Sequence, residues 1–172
     1  PVPWLDELSP RAGTVHVGGS FDEISGAEQA VVSGEHPERP FVLVSQPSLF
    51  DTTRAPEGRH TVWAYCHVPN GSTVDMTDRI IDQIERFAPG FRGTIVASTT
   101  MNARQYQLHN PNYVGGDIGG GRFGLRKVLQ LGDARPFRLS DDLFLGSSAV
   151  PPGGGVHGMC GFLAASALMA AG

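Results

Sequence analysis

Along the first half of the chain the spacing of apolar residues switches repeatedly between two periods, and each switch predicts an element. Val15 and Val17 alternate with polar neighbours in the run Thr14 to Val17, the pattern of a strand. Ser20 with Glu23 forms a capping box, and Phe21, Ile24, Ala27 and Val31 then recur on one face of a helix that Gly34 stops. Phe41 to Ser45 is a continuous apolar strand. From His60 to Val68, Val62, Ala64 and Cys66 alternate with Trp63, Tyr65 and His67, a second strand closed by the turn Asn70-Gly71. Met76, Ile80, Ile84 and Phe87 return to helical spacing, with Asp78, Arg79, Asp82 and Glu85 on the outer side and Pro89-Gly90 as the end. Thr94 to Ser98 reads as one more strand.

The resulting order, β-α-β-β-α-β, predicts an α+β fold of the ferredoxin-like or split βαβ kind, an antiparallel sheet with its helices on one face. The other face then needs a cover, supplied by a substrate cavity or the rest of a larger protein or, in an isolated chain, by self-association. Asn102 to His109 reads as a short helix. Between Asn110 and Ser140 glycine is frequent and periodicity weak, so only Lys127 to Leu131 is expected as a strand. Leu143 to Leu145 reads as a short strand, and Phe162 to Ala171 as a buried C-terminal helix.

Between those last elements lies the densest chemical signal, Val150-Pro151-Pro152-Gly153-Gly154-Gly155-Val156-His157-Gly158-Met159-Cys160-Gly161. Consecutive glycines bring main-chain N–H groups close to a ligand with no side chain between. A helix starting just after them points its unpaired N–H groups and the positive end of its dipole at the same place. An anionic or electron-rich cofactor edge fits there. Gly153, Gly155 and Gly158 satisfy G-x-G-x-x-G, but the acidic residue that completes a dinucleotide fingerprint would fall beyond Gly172. A second literal match, Gly119, Gly121 and Gly124, has no strand before it and reads as a loop.

Leu143-Phe144-Leu145-Gly146-Ser147-Ser148, Pro152 to Gly158, Gly161 and the pair Ala164-Ala165 resemble the closing segment of phytoene-desaturase-like flavoproteins of the amine-oxidase-type FAD superfamily. The resemblance implies that residues 1–139 form part of a substrate-binding domain and 140–172 the returning segment of an FAD-binding domain. It implies FAD as cofactor, held in part by Gly146, Ser147, Pro152, Gly153, Gly154, Gly155, Val156, His157, Gly158 and Met159. The implied activity is that of an oxidoreductase, a dehydrogenase moving hydride from an apolar or amine substrate to flavin. The partner would be a dinucleotide-binding segment upstream, without which the chain is expected to be inactive and to retain no FAD. Peripheral contact with a membrane is a further expectation, and His157 departs from the proline that many carotene desaturases carry there. The alternative reading is a non-catalytic ferredoxin-like binding or assembly module whose glycine turn is structural.

Composition narrows this little further. The chain has 172 residues, 40% hydrophobic, enough for one well-buried core. A net charge of −4 without a basic cluster argues against nucleic acid as a partner. Pro1-Val2-Pro3-Trp4 has neither the basic nor the apolar region of a signal peptide, so a cytoplasmic location and a start inside a longer protein are expected. Cys66 and Cys160 stand far apart, and no metal site is expected. His16, His67 and His109 fall in separate elements and are assigned structural roles; Trp63 and Tyr65 are assigned to the core and Cys160 to packing. Asp117 between glycines either accepts N–H bonds in a turn or reaches a cofactor, and Arg104, Arg122, Arg126 and Lys127 read as solvated charges. No G-x-S-x-G elbow supports hydrolase chemistry, and no residue stands out as a general base.

Overall fold

The computed structural model describes residues 1–121, 137–155 and 157–171. They form two compact units, Pro1–Asn102 and Ala103–Gly172. The expected strand at Lys127 to Leu131, and with it Arg122, Gly124, Arg126 and Val156, lies outside the described residues.

The first unit is α+β with an antiparallel sheet, as the periodicities predict. Strands β1 (Val15–Val17), β2 (Val42–Ser45) and β3 (Trp63–Cys66) form a three-stranded sheet in that order. The register pairs Val17 with Val42 and Val42 with Cys66, then Val15 with Val44 and Val44 with Ala64. Because side chains alternate across a strand, this register puts Val15, Val17, Val42, Val44, Ala64 and Cys66 on one face. All of these belong to the core that Ile84, Ala88 and Phe91 close from above. His16, Leu43, Tyr65, Ser45 and Trp63 point the other way.

Helix α1 (Phe21–Val32) begins at the capping box: Ser20 Oγ accepts from the Glu23 N–H, and the Glu23 carboxylate accepts from the Ser20 N–H. Gly34, at φ +89°, ends it, and the Glu35 N–H reaches back to the Ala30 carbonyl in a Schellman closure. The expected apolar face is only partly used, since Ala27 is buried but Phe21 is 81% exposed. The capping position turns Phe21 outward to place Glu23 beside Arg86, at 2.9 Å. Helix α2 (Thr77–Glu85) carries Ile84, 1% exposed, into the core, with Met76 buried just before its first turn.

The fourth strand is not formed. After Gly90 the chain winds into a short helix, α3 (Phe91–Thr94), and residues 95–98 join no ladder. Burial of the Phe91 ring decides this: the Thr94 hydroxyl donates to the Phe91 carbonyl, which holds the helical turn, and Val96 is left in solvent. The sheet therefore lacks the last strand of the split βαβ order, and β1 lies directly beside β2 rather than one strand away. Trp63 is a second departure from expectation. The register sends it to the uncovered face, 46% exposed, its ring tilted against Tyr65 at 5.1 Å between centroids.

The second unit holds α4 (Ala103–His109), as predicted, and α5 (Met159–Ala171), which starts earlier than Phe162. Leu143 to Leu145 is no sheet strand. It closes a tight hairpin in which Phe144 bridges Arg138 and the Leu145 N–H donates to the Phe137 carbonyl. Helix α5 buries Cys160, Ala164 and Ala167 against Phe137 and Val150, but Phe162, Leu168 and Met169 stay exposed, so only one side is covered.

Both tryptophans, Trp4 and Trp63, lie in the first unit, so their fluorescence in urea follows that unit alone. Ile84→Ala is expected to destabilise it by about 2–5 kcal/mol, and Phe21→Ala by less than about 0.5 kcal/mol. The Ser20 N–H and then the Arg86 guanidinium hold the Glu23 carboxyl below the usual glutamate range. Its stabilisation is therefore present above the ordinary glutamate pKa and lost as pH falls through the lowered folded value. Glu23→Gln should flatten the acid limb of the unfolding midpoint against pH, and an unchanged limb would refute this role.

Candidate functional site

Chain geometry around the start of α5 gathers most of the glycine-rich stretch into one cavity of about 190 Å³, lined by Gly146, Ser147, Ser148, Gly153, Gly155, His157, Gly158, Met159, Cys160 and Gly161. Of the residues expected at a cofactor, Gly146, Ser147, Gly153, Gly155, His157, Gly158 and Met159 are in this lining. Pro152 and Gly154 lie in the same loop but outside it. Ser148, Cys160 and Gly161 line it as well, although sequence reasoning gave Cys160 only a packing role.

Each wall has a local cause. Gly153, Gly155 and Gly158 take φ of +102°, +152° and +66°, a region that costs other residues strain. The 146–148 loop sits close on the first turn of α5: a Cβ on Gly146 would stand 3.3 Å from the Gly161 Cα. The buried Cys160 thiol donates to the carbonyls of Gly153, at 3.2 Å, and Val150, at 3.6 Å, tying the glycine loop to the helix. The Phe162 N–H makes the first intrahelical bond, to Gly158. The amides of Met159, Cys160 and Gly161 thus precede the helical ladder. The Met159 N–H donates to His157 Nδ1 at 3.0 Å.

No Asp, Glu, Lys or Arg lines the cavity among the described residues, so what it offers is backbone, two serine hydroxyls, the His157 imidazole and the helix dipole. Such a site suits a neutral, electron-rich edge better than a phosphate, which a lysine or arginine would ordinarily accompany.

The other singled-out residues fall elsewhere. Asp117 resolves as a turn residue, its carboxylate accepting from the Gly119 N–H at 2.7 Å and the Gly121 N–H at 2.8 Å. His16 edges onto Phe41, His67 pairs with Glu28 at 2.8 Å, and His109 ends α4 in solvent, as does the side chain of Arg104 within it. Burial, and next the Glu28 charge, push the Cys66 thiol up to about 11, which leaves it a poor nucleophile at neutral pH. Among the described residues no group of His, Cys, Asp or Glu could hold a metal ion, and no helix is long and apolar enough to cross a membrane.

The packing of Gly155 is directly testable. A Cβ there would stand 2.7 Å from the His157 ring. In a Cys66→Ser background, Gly155→Ala is expected to raise the rate at which a thiol reagent labels Cys160 by about ten-fold, on the scale of the 1–3 kcal/mol that forced backbone strain costs. An unchanged labelling rate would show that the loop is not held as described.

No family model and no solved structure matches the chain. Among curated proteins it is 28% identical over 134 residues to 4,4'-diapolycopen-4-al dehydrogenase of Metabacillus indicus, covering 71% of this chain and 26% of that protein. It is 30% identical over 143 residues to pyridine nucleotide-disulfide oxidoreductase domain-containing protein 2 of Rattus norvegicus, covering 72% of this chain and 24% of that one. The chain thus spans about a quarter of the length of these relatives. Both are oxidoreductases by name, and the chain is a distant homologue of part of each.

Proposed function

We propose that this chain is the C-terminal, substrate-binding portion of an FAD-dependent oxidoreductase, with residues 1–139 serving the substrate and 140–172 returning to the cofactor. The observation that carries the reading is the cavity at the start of α5, half of whose lining is glycine and whose wall includes the first residues of the helix, Met159, Cys160 and Gly161. At about 190 Å³ it is smaller than an ordinary ligand pocket, so it holds one edge of a cofactor whose remainder lies on other parts of the protein. The uncovered side of α5, with Phe162 64% exposed beside Leu168 and Met169, is the kind of apolar surface a larger protein buries.

When bound, FAD supplies a ring able to accept hydride from a C–H or C–N bond. The chain's own part is electrostatic and steric. Gly146 and Gly153 keep the approach open, and the amides of Cys160 and Gly161, which precede the helical ladder, would face negative charge on a reduced ring. The Cys160 thiol keeps the loop in register with the helix. On the first unit, Trp63, Tyr65, Leu43 and His16 form a mixed aromatic and aliphatic sheet face suited to an apolar substrate. The aldehyde dehydrogenase and disulfide oxidoreductase names of the relatives support the redox class.

Reading upstream of Pro1 should reveal a strand, G-x-G-x-x-G and a helix. The polypeptide that includes them should purify with the absorbance bands of oxidised flavin, whereas the 172-residue chain alone should be colourless. Gly146→Val in the longer polypeptide should lower flavin occupancy without unfolding it. A folded, colourless longer polypeptide would refute the proposal.

A further inference from the structure

We infer that His157 is a positioning residue that holds the glycine turn against α5 only while its imidazole is neutral, so that the cofactor cradle loosens when the ring takes a proton. The Met159 N–H donates to His157 Nδ1 at 3.0 Å, which requires a lone pair on Nδ1 and puts the ring proton on Nε2. The Cδ2–Nε2 edge of the ring lies so close to Gly155 that a Cβ there would meet Cδ2 at 2.7 Å and Nε2 at 2.9 Å. Gly155 is therefore needed first to admit the imidazole, and only through it to shape the cavity. In this arrangement His157 does for α5 what an Asx side chain does at other helix starts, accepting from the amide two residues on.

Protonation reverses both terms. Nδ1 becomes a donor facing the Met159 donor, and a positive ring is placed at the positive end of the helix dipole. Among the described residues lining the cavity, the Cys160 thiol is the other titratable group, and it is engaged by the Gly153 and Val150 carbonyls; no carboxylate is present to retain the imidazolium. His157 is itself exposed, so solvent protons reach it freely. The inference rests on the FAD reading only for what the cradle holds; the latch stands on the chain alone.

Nitrogen-15 NMR of the 172-residue chain, with no flavin present, tests it. In mildly alkaline solution the neutral His157 ring should be the Nε2–H tautomer; on acidification, with the ring's own nitrogen-15 shifts reporting when it takes a proton, the Met159 amide should shift in step with them. Its solvent-exchange rate, relative to an unstructured peptide at the same pH, should rise about five-fold, the factor that loss of a helix cap is worth. His157→Asn, which still accepts through Oδ1 but does not titrate, should keep the protected rate in both conditions, and His157→Ala should lose it in both. A neutral ring carrying its proton on Nδ1, or a wild-type pH profile matched by His157→Asn, would overturn the inference. If His157→Ala fails to fold, the wild-type tautomer and the Asn comparison still decide. Absence of flavin from the longer polypeptide would sink the cofactor reading and leave this result untouched.

Discussion

The first unit depends on burying one face of a very small sheet. Val42 and Val44 on β2 are almost wholly removed from water, and each such valine contributes about 1.5–3 kcal/mol when its burial is complete. A central strand flanked on both sides satisfies its own backbone, while Ile84, Ala88 and Phe91 supply the roof. The remaining features accommodate this roof. The N-terminal segment is drawn in through the Val2 N–H to the buried Gln46 side chain, and Glu23 joins the start of α1 to Arg86 just past α2. Phe91 turns the chain into a helix where a strand was otherwise favoured.

The second unit is organised by backbone rather than by side-chain bulk. Helix α5 is apolar nearly all round, yet its covered stripe consists of Cys160, Ala164 and Ala167, small residues that admit close approach of the loops above. Gly146 brings main chain onto main chain at Gly161, and the Cys160 thiol and His157 ring fasten the glycine loop to the helix.

Much of this was legible beforehand, for identifiable reasons. Capping and termination are local chemistry, so Ser20 with Glu23 and Gly34 mark helix ends that the structure reproduces, whereas α2 stops at Glu85, ahead of Pro89-Gly90, and Gly90 instead opens α3. Alternation in residues 62–67 assigned Ala64 and Cys66 to the face opposite Trp63 and Tyr65 correctly, although which face would be covered was not local information. Phe21, Trp63 and residues 94–98 departed from expectation because each was read from local pattern alone. Their positions are set by a partner far along the chain: Arg86 for the start of α1, the register with Ser45 for Trp63, and the need to bury Phe91 for the lost strand. At the site, the glycine run and its loop were visible, whereas the use of the Met159 amide by His157 and of the Gly153 carbonyl by Cys160 was not.

By itself the order of residues determined the α+β class, most helix limits, and the place where backbone would be bared beside a helix start. These follow from short-range sterics and hydrogen bonding, which act over a few residues and are written in glycine, proline and capping side chains. Tertiary packing alone decided the number of strands, the face left open, and which amides of the cradle are already engaged. Those outcomes turn on contacts between residues distant in sequence, where burial of one ring or the reach of one imidazole outweighs any local preference.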